Sequence, residues 1–281
     1  MGPRRVHAHR VSDAACVRFL QWALPRLRLH WPGFRRVRGI VCKRLARRLR
    51  ALGFADLDAY RALLEREPAE WSTLEALCAI PVSRFWRDRA VFAALEHAVL
   101  PALAQAARAA GRDTLECWSA GCAGGEEPYS LSLLWQARLA QRFPELELRV
   151  LATDVDAAQL ARAALGCYRA SSLKELPPEL RTSAFERSGE LLCLRPAFRA
   201  GVEFACRDIH GEPPKRIFDV VLCRNVVLTY FEPGLRQEVM QRIIGCLRPG
   251  GALVVGLHEA PPAGLATLAP WQELRAIWRA A

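Results

Sequence analysis

No run of eighteen apolar residues occurs in this 281-residue chain, so a membrane-spanning helix is not expected. The first ten residues carry Arg4, Arg5, Arg10, His7 and His9 but no apolar signal core, and nothing in them indicates export. Ten cysteines include no Cys-x-x-Cys pair; the nearest two, Cys117 and Cys122, straddle a glycine-rich turn. Zinc is therefore not expected. Cys193, Cys223 and Cys246 sit inside apolar runs, as reduced cysteines do, and no disulfide frame is expected either. No nucleophile–base pair and no metal cluster is legible, and His258-Glu259 stands alone after an apolar strand. Acid is nearly absent from the first fifty residues, where fourteen Lys and Arg face only Asp13, a balance of +13. The remaining 26 basic and 28 acidic residues sum to −2, so the net +11 belongs to the N-terminal part. Such a patch seeks an anionic partner: nucleic acid, a membrane surface or an acidic protein face.

At 52% hydrophobic the chain buries a full core, most simply one large domain with a smaller attachment. From Phe34 to Leu52 helical spacing places Val37, Val41, Leu45, Leu49 and Leu52 on one side. The other faces carry Arg36, Arg38, Lys43, Arg44, Arg47, Arg48 and Arg50, expected to be mostly exposed. A plain solvated face is the alternative to a binding surface. Gly53 stops this helix, Asp56–Glu67 reads as a second and Trp71–Cys78 as a third, making residues 1–80 an all-α basic domain. After Pro81, residues 81–113 form a linker and a helix that Pro101 is expected to end.

From Thr114 strand and helix signals alternate. Strands are expected over Leu115–Ala120, Leu146–Thr153, Val202–Cys206, Phe218–Cys223 and Ala252–Leu257, with helices opening near Glu126, Asp156 and Glu232. This alternation predicts an α/β domain over 114–281, a largely parallel sheet with helices on both faces. Residues 168–200 interrupt it with Pro177-Pro178 and a short Ser188-Gly189 turn, an insert with a small helix and a hairpin.

Ligands in such sheets bind at the carboxyl ends of the strands. There the sequence offers Gly121–Gly125, Asp154 with Asp156, Asp208, and Arg224 with Asn225. A strand that breaks into glycines and feeds a helix leaves backbone N–H groups open to a ligand. Glu126 and Glu127 in the first helical turn would repel a pyrophosphate and suit a positively charged nucleoside such as S-adenosylmethionine. Asp154 ends a buried strand where ribose hydroxyls are bound in nucleotide-binding folds, with Asp156 as the helix cap; the opposite assignment is the alternative. Arg224 follows the buried run FDVVLC, and pairs either with Glu127 or with a carboxylate substrate. Arg87 and Tyr230 are further candidates for the same pocket.

The motifs SAGCAGGEEPYSL, ATDVDAAQLARAALGCY, LKELPPEL, FDVVLCRNV and LRPGGALVVGLHE, in this order, closely resemble the CheR-type chemoreceptor methyltransferases, and VSRFWRD resembles their T-x-F-F-R segment. The resemblance implies a Rossmann-like S-adenosylmethionine methyltransferase sheet with an N-terminal all-α domain and a small inserted β-subdomain. It also implies an S-adenosylmethionine-dependent protein-glutamate O-methyltransferase, acting in the cytoplasm. On the family's cofactor-contacting positions fall Ser83, Arg87, Glu127, Asp154, Asp208, Ile209, Cys223 and Arg224, beside Asn225; Arg87 and Tyr230 match the pair that orients the glutamate. Arg44, Arg47 and Arg48 would face the acidic methylation helices of a receptor. Pro81, Ser83, Trp86 and Asp208 depart from the family's Asn, Thr, Phe and Asn, and Tyr230 lies one residue further from Arg224 than is commonest.

No metal is implied. The short Ser188-Gly189 turn argues against binding a receptor's C-terminal pentapeptide, and the protein is expected to be a monomer without stable nucleic-acid binding or membrane insertion. Two alternatives stand beside receptor methylation. One is methylation of another protein or of nucleic acid, which the Cys-Arg-Asn-Val strand end, in place of N-P-P-Y or D-P-P-Y, disfavours. The other is a non-catalytic cofactor-binding scaffold.

Overall fold

The computed structural model describes residues 11–81, 83–265, 268–272 and 274–281; the arginines and histidines ahead of Val11 lie outside them. Internal contacts divide the chain into two units. The first holds residues 11–80 with Thr229–Leu235, and the second holds Pro81–Leu228 with Arg236–Ala281.

The first unit is helical because its apolar residues recur at helical spacing. Asp13–Ala23 is capped by the Ser12 hydroxyl, which accepts from the Ala15 N–H at 3.1 Å, and buries Cys16, Phe19, Leu20 and Ala23. The basic helix runs over Arg38–Leu52 and ends on Gly53, whose φ of 70° is the left-handed turn a glycine takes at a helix end. It starts four residues later than the periodicity suggests, because Phe34 closes a separate short helix, Trp31–Phe34. Val41, Leu45 and Leu49 are buried, each contributing roughly 1.5–3 kcal/mol before entropy is counted. Leu57–Arg66, capped by Asp56, and Glu70–Cys78 complete the packing.

The second unit opens with a helix from Arg89 to Ala109. By length and hydropathy alone it passes as a membrane span, but half of its most apolar window is buried in the fold, and Leu95, Val99, Leu100, Leu103 and Ala104 join the core under the sheet. Pro101 does not end it, contrary to the expectation from sequence. A π-turn over Leu95–Val99, in which the Leu100 N–H reaches the Leu95 carbonyl, widens the helix just before a residue that has no N–H to donate.

Among the described residues ten strands form two sheets. β1 (Thr114–Ala120), β2 (Glu147–Asp154), β6 (Val202–Cys206), β7 (Phe218–Leu222) and β8 (Leu247–Val254) are parallel. β9 (Leu268–Trp271) and β10 (Leu274–Ala280) add an antiparallel edge in the order β6-β2-β1-β7-β8-β10-β9. This is the expected doubly wound, Rossmann-like class. The order reverses between β1 and β7, where such sheets open a crevice at the strands' carboxyl ends. The final strand pair is an addition to the sequence reading. The insert folds as β3 (Cys167–Arg169), β4 (Phe185–Ser188) and β5 (Leu191–Leu194), ordered β3-β5-β4, with the Pro178–Ala184 helix between β3 and β4.

The absence of a disulfide frame is corrected by two pairs, Cys16–Cys42 in the helical unit and Cys167–Cys193 in the insert. Each joins residues 26 apart in sequence. The first links two packed helices, and the second links residues facing each other across β3 and β5. Only the packing brings either pair together, so local spacing is silent about them.

Candidate functional site

Chain direction reverses at the end of β1. Gly121 has a φ of 80°, and a Cβ there would lie 2.8 Å from a Val226 methyl, so a side chain is excluded on both counts. Four amides of the loop, those of Gly121, Cys122, Ala123 and Gly125, are bonded within the fold, which narrows the expected N–H cradle. The Gly121 and Cys122 N–H groups donate to the Thr153 carbonyl at 2.8 and 2.9 Å, and Gly125 N–H to the Cys122 carbonyl at 3.0 Å. The Ala123 N–H donates to Asp154 Oδ2 at 2.8 Å. With those donors satisfied, the loop offers little to a phosphate.

Asp154 is thus a bracket between the ends of β1 and β2. Its Oδ1 accepts from the Asp156 N–H at 2.9 Å while Oδ2 holds the loop. Asp156 caps the Ala157–Leu165 helix by accepting from the Ala158 and Gln159 N–H groups at 2.9 and 3.2 Å. Capping therefore falls to Asp156, leaving the half-buried Asp154 carboxylate, with spare lone pairs on each oxygen, facing the strand ends.

Arg224 follows β7 with only 6% of its surface exposed. Nη1 donates to Glu127 Oε2 at 3.2 Å; Nη2 donates to Asp88 Oδ2 at 2.7 Å and to the Arg87 carbonyl at 2.8 Å. The far oxygen of Glu127 accepts from the Ser119 hydroxyl at 2.7 Å. Of the two roles the sequence left open for Arg224, internal pairing with Glu127 is the one observed. Two carboxylates compensate one buried guanidinium through its two terminal nitrogens, offsetting part of its desolvation, while its Nε is buried without a hydrogen-bond partner.

The neighbouring positions are built to hold shape. Asn225 takes a φ of 56°, and its N–H donates to Glu259 Oε2 at 2.8 Å; the Gly256 N–H donates to the same oxygen at 2.7 Å. Glu259 thereby ties the ends of β7 and β8. A Cβ on Gly256 would stand 2.7 Å from that oxygen and 3.0 Å from Asn225 Oδ1. Cys223 is fully buried after β7, its N–H donating to the Val254 carbonyl at 2.9 Å. Burial, with Glu259 and Glu127 adding to it, pushes its thiol well up, and burial does the same to Cys122 beside Asp154. Both stay protonated at neutral pH and neither serves as a nucleophile. Asp208 lies after β6, 55% exposed at its side chain, accepting from both the N–H and the ring Nδ1 of His210. Ile209 follows it half-buried, and Ser83 is half-buried ahead of Phe85.

In the helical unit Tyr230 packs against Phe34 with ring centroids 4.9 Å apart, and its carbonyl accepts from the His30 N–H at 2.7 Å. The expected exposure of the basic helix is corrected at two of its three candidate positions. Arg48 makes a bidentate pair with Glu70, at 2.9 and 2.6 Å, and Arg44 donates to the carbonyls of Leu77 and Ala79. Both are half-buried because their long side chains bridge to the Glu70–Cys78 helix and its end, while Arg47, Lys43 and Arg50 are exposed.

The second unit therefore brings together Glu127, Arg224 and the Arg87 main chain, with Asp154 at the end of β2 bonded to the glycine loop. Reading the sequence missed Asp88, Ser119, Ser130 and Glu259. The one available signal was the acid directly after Arg87, since a charge beside buried Phe85 and Trp86 calls for a partner.

The crevice residues fit a cationic nucleoside: carboxylates at Glu127, Asp154 and Asp208, a guanidinium already paired, and four loop amides already bonded. Residues 81–268 match the family model described as CheR methyltransferase, SAM binding domain, and residues 38–76 the CheR methyltransferase all-alpha domain. The chain is 36% identical over 197 residues to a chemotaxis protein methyltransferase of Listeria monocytogenes, covering 69% of this chain and 72% of that one. It is 32% identical over 232 residues to the chemotaxis protein methyltransferase of Salmonella typhimurium, covering 79% and 76%. An uncharacterized 104.1 kDa protein of Rhodobacter capsulatus is 34% identical over 224 residues, 79% of this chain but 23% of that protein. Matched in both of its domains by one family, and sharing a third of its residues with chemotaxis methyltransferases over most of their length, this chain belongs to the CheR methyltransferases, whose cofactor domain takes S-adenosylmethionine.

Proposed function

We propose that the protein methylates glutamate side-chain carboxylates of chemoreceptors, as an S-adenosylmethionine-dependent protein-glutamate O-methyltransferase acting on the receptors' cytoplasmic methylation helices. The observation that carries the chemistry is the carboxylate-rich crevice, whose one buried guanidinium is tied to Glu127 and Asp88. When bound, S-adenosylmethionine supplies a methyl group on a positively charged sulfur. A glutamate acceptor is already ionised at neutral pH, so the chain needs no general base. Its task is in-line positioning and exclusion of water. Asp154 takes ribose hydroxyls on its spare lone pairs. Glu127 faces the cationic part of the nucleoside, and Ser83, Asp208, Ile209, Cys223, Arg224 and Asn225 complete the cofactor contacts. Arg87 orients the acceptor carboxylate.

The exposed Arg36, Lys43, Arg47 and Arg50 form the surface for an acidic receptor helix, with Arg44 and Arg48 holding it in shape. The two-residue turn at Gly189-Glu190 between β4 and β5 supports a protein that works without a pentapeptide tether. We expect a monomer that neither inserts in a membrane nor binds nucleic acid stably.

The test is transfer of a tritiated methyl group to receptor-containing membranes, followed by release of methanol in base. Base-labile counts on the receptor band are the expected result. Base-stable label, or label on nucleic acid, would point to a different acceptor.

A further inference from the structure

The segment Phe85–Asp88 is held in an unusual shape. Phe85 and Trp86 are buried; Phe85 meets Tyr168 and Phe185 edge-on at 4.8 and 5.3 Å, and Trp86 stacks on Phe92 at 4.8 Å. Their amides are fixed as well, Phe85 N–H to the Ser172 carbonyl at 3.0 Å and Trp86 N–H to the Ser130 hydroxyl at 2.9 Å. On either side of Arg87 the backbone enters the left-handed region, with φ of 58° at Trp86 and 63° at Asp88. A tryptophan there is strained, and such strain persists only where the surroundings over-determine it.

Asp88 stands at the N-cap of the Arg89–Ala109 helix, where an aspartate ordinarily accepts an N–H of the first turn. It makes no such cap. Its carboxylate turns instead to Arg224, whose Nη2 also holds the Arg87 carbonyl. One guanidinium nitrogen therefore joins Asp88 to the main chain of Arg87, and its other arm reaches Glu127.

We propose that Asp88 is a positioning residue: by pairing with Arg224 it keeps that guanidinium on the Arg87 carbonyl and so sets where Arg87 stands at the cofactor site. The inference rests on the reading of Arg87 as a cofactor contact. It gives the forgone helix cap a function and explains why an acid follows Arg87.

The experiment is a double-mutant cycle on S-adenosylhomocysteine affinity, measured by calorimetry on the full chain with Asp88→Asn, Arg87→Ala and both together. Asparagine tolerates the left-handed φ but carries no charge; Asp88→Gly, which adopts that φ without strain, replaces it should asparagine lower the melting temperature by several degrees. The expected result is a loss of about tenfold for each single variant and a double variant no more than about twofold weaker than Arg87→Ala, since sites that act through one another are not additive. Wild-type affinity in Asp88→Asn with a weakened Arg87→Ala, or losses that multiply in the double variant, overturn the role of Asp88 and leave Arg87 as a cofactor contact. Wild-type affinity in Arg87→Ala overturns the reading of Arg87 and with it this route for Asp88.

Discussion

Arg224 is the residue on which the crevice depends. Replacing it with methionine leaves the Glu127 and Asp88 carboxylates without their counter-charge, and the expected loss of stability is about 3 kcal/mol, the lower end for breaking a buried pair. Urea denaturation of Arg224→Met measures it. Asp154 carries two jobs. Asp154→Ala is expected to weaken cofactor binding by roughly 1–3 kcal/mol, the range for hydrogen bonds to charged groups. It should also lower the urea midpoint, because Ala123 and Asp156 lose their acceptor. Calorimetry and denaturation separate the two effects, and unchanged affinity rules out the ribose role. Asp154 was legible because it ends an apolar strand, where a charge needs a reason, and Glu127 because it stands in the first turn of the helix after the glycine loop. That the Gly121, Cys122, Ala123 and Gly125 amides would be consumed was not legible, because their acceptors come from β2 and the loop itself.

Among the elements, the helical unit is pinned by a triad in which Tyr60 and Glu70 are buried and Arg48 is half-buried. Glu70 accepts the bidentate pair from Arg48 and the Tyr60 hydroxyl at 2.6 Å. Burial raises the Glu70 carboxyl, but the hydrogen bonds from Arg48 and Tyr60 outweigh it and hold the group below its usual 4.5. The unfolded chain then takes up the proton more readily than the folded one. The triad's contribution is present above the ordinary carboxylate range and is lost as pH falls through the lowered value. Glu70→Gln is expected to lower stability by about 1.5–3 kcal/mol at neutral pH. Its deficit should shrink as pH falls through the lowered value, where the wild-type carboxylate also protonates, and thermal melts from neutral pH into the acid range follow this. Periodicity and caps made these helices readable one by one. It gave no hint that Arg48 would serve Glu70 instead of solvent, nor that a π-turn would carry a helix through Pro101.

For the whole molecule the relevant quantity is the uneven charge. Reversing Arg44, Arg47 and Arg48 together would confuse binding with folding, since Arg44 and Arg48 are bonded inside the helical unit. Lys43→Glu, Arg47→Glu and Arg50→Glu reverse exposed charges alone. That variant is expected to raise the apparent Michaelis constant for receptor about tenfold or more at low salt, with cofactor affinity unchanged and the difference fading as salt screens the face. Methylation equal to wild type at every salt concentration would show the face to be merely solvated.

The sequence by itself determined the order of the elements, the all-α module ahead of an alternating β/α sheet, the strand ends that carry Asp154 and Arg224, and the helix start that carries Glu127. Those features are local: a period of 3.6 or 2, a cap, or a charge at the end of an apolar run is written in neighbouring residues. Only the tertiary structure decided which arginines are committed and which face solvent. It also decided the cysteine pairings across 26 residues, the consumption of the loop amides, and the attachment of Asp88 to Arg224. Each is a contact between segments far apart in the chain, and its energy depends on distances that no local spacing encodes.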